Sequence, residues 1–384
     1  MASPKTLAVW ALLACACARE DAERHQLGGL VVVEDFDEPI CAGTFAFLER
    51  RLAMLERETG LPRDPRGLIF HWIYERDEIS SRCDELAGAC AAGRDFYGQL
   101  ESFSHELVHA HLSRLGRPRV WLSEGMAVML EDKFLADPDP MATPSEMLSV
   151  DDARGLDDSS AGAFTAHLRD RYGMAHLLEY YEASAGADPE SAVETFSDVF
   201  GDDFATVEAD YLANFAATAV AILDCDVAEV AWSGDTWSHS FDLTCDDPSS
   251  IGPQQWIDDP KRSQLWSGVV LTASAGWFTF DLAASGPAWI TILRCDAPEG
   301  VYLWVDEPRT DAYLTGGRYL VSADAFIDTN SSATVNVRRL EGAPDGAVVH
   351  DAGAVVHDAS PPAFPRGLVG RQPTGEHFDA ALGP

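Results

Sequence analysis

The residues with the clearest potential for chemistry are His105, Glu106 and His109, in the run His-Glu-Leu-Val-His. Apolar residues recur at helical spacing around this run and predict a helix over 100–115. Residues four apart share one face of a helix, so both imidazoles can bind one tetrahedral metal ion while Glu106 stands beside an open coordination position. The spacing therefore predicts a metal site with a carboxylate base. The alternative is a helix face with ordinary histidines.

A metal site of this kind needs a third protein ligand, and Glu124 is the candidate. It follows a turn at Gly116 to Pro118 and lies in the segment Trp-Leu-Ser-Glu-Gly-Met-Ala at 121–127. A helix, a short turn and a returning antiparallel helix bring Glu124 opposite the two histidines. The alternative is a first-turn glutamate that only favours the N-terminus of its helix.

The HELVH run followed by WLSEGMA resembles the gluzincin clan of zinc metallopeptidases, and more narrowly its peptidase MA-like members. The resemblance covers roughly residues 28–222. It implies a zincin-like fold and one zinc ion per chain, held by His105, His109 and Glu124. It also implies that Glu106 is the general base that activates a zinc-bound water. The implied reaction is hydrolysis of a peptide bond in a peptide or protein substrate.

The chain departs from this pattern where the oxyanion of the reaction would be stabilised. Relatives often carry a tyrosine shortly before the stretch at 161–164, but this sequence has Asp-Asp-Ser-Ser at 157–160. His167 and Tyr172 on the following helix are possible transition-state stabilisers. Each is also typical of a packed or surface position on a helix.

The acid that orients a zinc-binding histidine in some relatives is also missing, because position 128 is Val128. Glu131 or Asp132 is expected to take that role. His111 is expected at the rim of the site, since its spacing of two from His109 points it away from the ligand face. Phe96 and the tyrosine after it are candidates for a substrate-binding edge strand.

The first residues are typical of an export signal. Lys5 precedes an apolar run, and Leu-Leu-Ala-Cys at 12–15 resembles the lipobox of bacterial lipoproteins, which implies lipidation at Cys15. The alternative is simple secretion after a cut at Ala16 or Ala18. Both predict an exported protein, either secreted or held at the cell surface or outer membrane.

Besides Cys15 and Cys17, six cysteines remain. They favour disulfides, because an even set in an exported chain is more typical of disulfides than of metal thiolates. Many connectivities are possible. Cys83 with Cys90 closes the shortest loop, and the remaining pairing we expect is Cys245 with Cys295 and Cys41 with Cys225.

Composition excludes several classes of function. The 384 residues carry 27 Lys+Arg against 63 Asp+Glu, a formal net charge of -36 that repels nucleic acid and anionic lipid. A fraction of 46% hydrophobic residues is typical of a globular chain, and no apolar run is long enough for a membrane span in the mature protein. Contact with a membrane is thus expected only through a lipid anchor. The oligomeric state stays open.

The overall pattern predicts the α+β class, with a zincin-like N-terminal domain of a small sheet and helices followed by an all-β sandwich of about seven strands. We predict these segments: signal peptide 1–14, N-terminal linker 15–27, metallopeptidase domain 28–223, β-sandwich 224–340, and disordered low-complexity tail 341–384. Helices are expected over 100–115, 121–134, 162–184, 189–200 and 204–223.

Three functional hypotheses follow. The first is a secreted or surface-anchored zinc metallopeptidase. The second is a catalytically weak or inactive zincin-fold lipoprotein that acts as a binding module through its β-sandwich. The third is a binding protein whose histidines have this spacing by chance. Zinc content separates the third hypothesis from the first two, and loss of hydrolysis in Glu106→Gln separates the first from the second.

Overall fold

The computed structural model describes residues 22–34, 36–83, 88–131, 142–214, 223–255, 263–295, 300–304, 308–329 and 331–343. The predicted signal peptide, the lipidation site Cys15, Asp132 and nearly all of the predicted tail lie outside these residues. Within the described residues, no helix combines the length and apolar character needed to cross a bilayer.

The N-terminal half contains a five-stranded mixed sheet in the order β1-β2-β3-β5-β4. Its strands are β1 (Glu23–Leu27), β2 (Leu30–Glu34), β3 (Leu68–Trp72), β4 (Cys90–Ala92) and β5 (Asp95–Gly98). Strands β2, β3 and β5 run parallel, whereas β1 and β4 are antiparallel to their neighbours. Strand β1 lies in the predicted linker 15–27. Its residues pair with β2 through a two-residue turn, so this part of the linker belongs to the sheet.

Nine α-helices are described in the same half. They are α1 (Thr44–Thr59), α2 (Arg76–Arg82), α3 (Phe103–Leu112), α4 (Val120–Leu130), α5 (Pro144–Leu148), α6 (Asp158–Tyr172), α7 (Met174–Ala183), α8 (Pro189–Phe200) and α9 (Phe204–Asn214). Helix α1 connects the parallel strands β2 and β3, so these elements form a β-α-β unit. The single helix predicted over 162–184 is wrong, because Gly173 has φ 84 and separates α6 from α7.

Helix α3 lies against the sheet because one of its faces is apolar. Phe103, Leu107 and Val108 are buried, and the Phe103 ring contacts those of Phe70 in β3 and Phe96 in β5. This packing fixes how α3 is rotated about its axis. The opposite face, which carries His105 and His109, is therefore turned away from the sheet.

The C-terminal half is a β-sandwich of nine described strands, two more than expected. One sheet has the order β11-β10-β13-β8-β7 and the other β12-β9-β14-β6. The strands are β6 (Thr236–Leu243), β7 (Ile251–Gln255), β8 (Ser263–Ala273), β9 (Gly276–Ala284), β10 (Ala288–Arg294), β11 (Gly300–Trp304), β12 (Arg309–Leu314), β13 (Gly317–Phe326) and β14 (Ser331–Arg339). Residues from both sheets, such as Ile290, Val321, Phe280 and Val335, share one core. The predicted α+β class is confirmed.

Three disulfides indicate an oxidising environment outside the cytoplasm. The pair Cys83–Cys90 is as predicted. The other two predicted pairs are wrong: the structure joins Cys41 to Cys245 and Cys225 to Cys295.

The reason for the different pairing is the way the two halves dock. The segment before α1 pairs with β7 and with the segment before it. Ala42 N donates to the Cys245 carbonyl and Cys41 N donates to the Gly252 carbonyl in β7, each at 3.0 Å. This contact brings Cys41 and Cys245 together. Thr44 Oγ1 adds a further hydrogen bond of 2.7 Å to the Gly252 carbonyl.

Candidate metal centre

Helices α3 and α4 bring His105, His109 and Glu124 together as the sequence predicts. Nε2 of His105 lies 3.1 Å from Nε2 of His109 and 3.2 Å from Oε2 of Glu124. The third side of this triangle, His109 Nε2 to Glu124 Oε2, is 3.3 Å. All three side chains are mostly buried, with exposed fractions of 16–19%. Three potential ligand atoms therefore converge on one point.

The dimensions of this triangle fit a tetrahedral ion. An ion with bonds of about 2.0–2.1 Å keeps its ligand atoms about 3.3 Å apart, and the three measured separations lie within 0.2 Å of that value. Two imidazole nitrogens and one carboxylate oxygen are also a donor set that zinc prefers. The chain thus contains a His/Glu group able to hold a metal ion.

The outer nitrogens of both imidazoles have partners of their own. Nδ1 of His105 lies 3.1 Å from Oε2 of Glu131, a contact that the expected orienting role requires. Nδ1 of His109 lies 3.2 Å from Oγ of Ser123, which in turn hydrogen-bonds Tyr181. A proton on each Nδ1 leaves each Nε2 with a free lone pair directed at the ligand point. The sequence does not predict the contacts of Ser123 and Tyr181. The only sequence signal is that Ser123 precedes the proposed ligand Glu124.

Glu106 is buried on the same helix as the two histidines, with 7% of its surface exposed. Burial raises the pKa of its carboxyl group, and the charges of His109 and His105 oppose that shift. For Glu124, burial acts in the same direction, but the interactions with His109 and His105 outweigh it and lower the pKa. The two carboxyl groups therefore differ in basicity, and Glu106 is the better proton acceptor.

An excess of carboxyl groups surrounds the two imidazoles. Asp158, at the start of α6, interacts electrostatically with Glu124, His105 and Glu131. Burial, followed by the charge of Glu124, raises the pKa of Asp158 to about 7. Among the described residues its Oδ1 atom is buried without a hydrogen-bond partner. A cation bound between these buried carboxyl groups would offset their mutual repulsion.

The structure places the two possible transition-state stabilisers in other contacts. The ring of His167 packs against that of Tyr211, with Nε2 3.5 Å from Oδ2 of Asp210. The hydroxyl of Tyr172 donates a 2.5 Å hydrogen bond to Asp202. Both side chains thus have acidic neighbours on or beside α8 and α9, and their role as transition-state stabilisers stays a prediction.

The remaining expectations have mixed outcomes. His111 does point away from the ligand face, but it is buried rather than at a rim, with Nε2 3.3 Å from Oγ1 of Thr59. Burial lowers the pKa of His111 to about 4.

Phe96 was expected in an edge strand. It belongs to β5, which has neighbours on both sides, whereas the strand at this edge of the sheet is β4.

Gly125 allows the close approach of α4 to α6. A methyl group in its place would lie 2.6 Å from the Ala161 carbonyl oxygen and would collide with the Thr165 side chain. Because Ala161 contributes backbone atoms, α6 has to move away.

We expect Gly125→Ala to destabilise the protein by about 1–3 kcal/mol and to weaken zinc binding, since Glu124 is the neighbouring residue. Denaturant unfolding and zinc titration measure the two effects. Gly155→Ala is the matched control, because its nearest neighbour would lie at 3.7 Å. Equal behaviour of both variants would contradict the close-packing role.

Comparison with known proteins identifies no family. No protein-family model matches the sequence, and no curated protein matches it. One similar solved structure is a family two carbohydrate esterase from Cellvibrio japonicus, 13% identical over 28% of this chain and 36% of the esterase, with a TM-score of 0.14. Another is a 4-O-methyl-α-glucuronidase of glycoside hydrolase family 115 with specificity for decorated arabinogalactans, 11% identical over 77% of this chain and 39% of that one, with a TM-score of 0.16. The chain thus spans well under half of each, and neither likeness indicates a shared fold.

Proposed function

We propose that the protein is a zinc-dependent peptide hydrolase whose metal ion is held by His105, His109 and Glu124. The observation that carries the proposal is the triangle of Nε2, Nε2 and Oε2 atoms with sides of 3.1–3.3 Å. A buried carboxyl group, Glu106, lies between the two histidines in the sequence and on the same helix. This combination of an ion-sized donor set and a neighbouring base is suited to hydrolysis.

Each residue has a role in the reaction that follows from its position. A bound zinc ion supplies Lewis acidity, which makes water nucleophilic near neutral pH and polarises a carbonyl group. Glu106 accepts a proton from the attacking water, whose oxygen forms the new bond to the carbonyl carbon. The same carboxyl group then delivers that proton to the leaving nitrogen as the C–N bond breaks. Glu131 and Ser123 hold the two histidine rings in place.

We further propose that the enzyme acts outside the cytoplasm, either secreted or attached through a lipid on Cys15. The three disulfides support the exported location. The substrate on this proposal is a peptide or protein met outside the cytoplasm.

A second candidate function is a zinc-holding binding protein without turnover. It is favoured by one observation, that His167 and Tyr172 contact acids on or beside α8 and α9. A side chain that already contacts an acid is less available to stabilise the oxyanion of a hydrolysis reaction.

Removal and return of the metal tests the proposal. Protein stripped with a chelator and desalted is incubated with unfolded proteins and a diverse peptide mixture, and new termini are identified by mass spectrometry. We expect cleavage to vanish in the stripped protein and to return with Zn²⁺ but not with Mg²⁺, which prefers oxygen ligands. Cleavage that is independent of the chelator would contradict a zinc mechanism. Absence of cleavage by the zinc-loaded protein would favour the second candidate.

A further inference from the structure

The hairpin formed by β1 and β2 places three potential metal ligands on one face of the sheet. Glu23 in β1 lies directly opposite Glu34 in β2, and His25 is two residues after Glu23. Side chains two residues apart point to the same face of a strand, and so do residues directly opposite each other. Glu23, His25 and Glu34 therefore converge, independently of α3 and α4.

The contacts within this group are short. Nε2 of His25 lies 3.3 Å from Oε1 of Glu34 and 4.0 Å from Oε1 of Glu23. One potential ligand atom from each residue falls within 4.8 Å of the other two. The ring of Phe45 in α1 lies 4.5 Å from the His25 ring and limits its motion. The exposed fractions are 23% for His25 and 12% for Glu34, against 71% for Glu23.

These three side chains alone do not balance the negative charge of the two glutamates. Two glutamates directly opposite each other on neighbouring strands repel. Oε2 of Glu34 is buried and, within the described part of the chain, has no hydrogen-bond partner. Burial raises the pKa of Glu34, although a hydrogen bond with His25 opposes the shift. A buried carboxylate oxygen without a partner is costly unless a cation or a donor satisfies it.

We propose that Glu23, His25 and Glu34 bind a second divalent transition-metal ion of the zinc class. The imidazole favours zinc over calcium or magnesium, which prefer oxygen ligands alone. The 3.3 Å separation of His25 Nε2 and Glu34 Oε1 already suits two ligands of one tetrahedral ion. The exposed Glu23 side chain is free to close the remaining distance. Bound there, the ion holds the edge strand β1 to β2 and stabilises the folded state by mass action.

The test isolates this site from the α3–α4 centre. His109→Ala removes a ligand of the first centre. His350→Ala, His357→Ala and His377→Ala remove the three histidines of the tail in every protein compared. Zn²⁺ itself is the probe, titrated against a chromophoric chelator and followed by thermal unfolding. We expect this background to bind one zinc per chain and to unfold at a higher temperature with zinc. We expect His25→Ala in the same background to lose that zinc and the thermal shift.

Two further variants guard against misfolding and chance binding. Glu23→Gln changes an exposed side chain, so the fold is retained. We expect zinc affinity to fall at least about tenfold, because loss of a residue that only supports a ligand already has an effect of this size. His176→Ala removes an exposed histidine on α7 and is expected to leave binding unchanged. Equal zinc binding with and without His25, or no effect of Glu23→Gln, would overturn the proposal. Because binding is measured without reference to catalysis, this outcome is independent of the peptidase proposal.

Discussion

Glu106→Gln is expected to abolish nearly all peptide hydrolysis while leaving zinc in place. Gln has the size of Glu but cannot accept and return the proton of the attacking water. Loss of general acid–base catalysis lowers the rate by about 100- to 10,000-fold. The ligand triangle of His105, His109 and Glu124 does not include Glu106. The zinc content should therefore match that of the parent protein.

Turnover of a single cleavable peptide and elemental analysis of the same preparation measure the two quantities together. Glu179→Gln is a suitable control, because it makes the same chemical change at an exposed position on α7 and should leave both quantities unchanged. Turnover of Glu106→Gln within tenfold of the parent would contradict the role of Glu106. Loss of zinc together with turnover would show that Glu106 supports the metal rather than the proton transfer.

The α3–α4 centre was predictable because its geometry is local. Helical spacing alone puts His105 and His109 on one face, and a short turn returns α4 with Glu124 beside them. Glu131, one of the two acids expected to orient a histidine, was predictable for the same reason, because it lies one to two turns after Glu124. Ser123 and Tyr181 were not predictable, since their roles depend on how α4 packs against α7.

Features that depend on contacts distant in the sequence were missed. The pairing of Cys41 with Cys245 spans a separation of 204 residues and results from docking of the two halves. His111 was expected at a rim, but α1 covers that side of α3 and buries it. The cluster at the first hairpin lies partly in a range assigned to a linker, and it exists only because Glu23 pairs with Glu34.

The sandwich was predicted in kind but not in strand count. Short segments with alternating apolar residues, such as those in β9, β10, β13 and β14, are the pattern that predicts a sandwich. Strand β7 contains Gly252 and Pro253, residues that usually interrupt strands. Its pairing with β8 tolerates them through a register shift between Ile251 and Gln254. Such an irregularity is visible only once the partner strand is known.

His109→Ala is expected to bind one zinc fewer per chain than the parent protein and to lose hydrolysis. The substitution removes one corner of the ligand triangle and leaves only His105 and Glu124 as protein ligands. Two ligands hold zinc too weakly to survive dialysis against a chelator. The surrounding carboxyl groups then lack their cation, so we also expect lower stability near neutral pH. Elemental analysis and thermal unfolding measure the two effects.

His111→Ala is the matched control, because it lies two residues further on the same helix and is also buried. It loses its contact with Thr59 and its packing but no ligand atom, so the protein should become less stable but keep all of its zinc and its turnover. Glu131→Gln should lie between the two variants, with zinc affinity reduced about 10- to 100-fold, because it weakens the support of His105 without removing a ligand. If zinc content fell equally in His109→Ala and His111→Ala, the loss would follow from destabilised folding, and the ligand assignment would be contradicted.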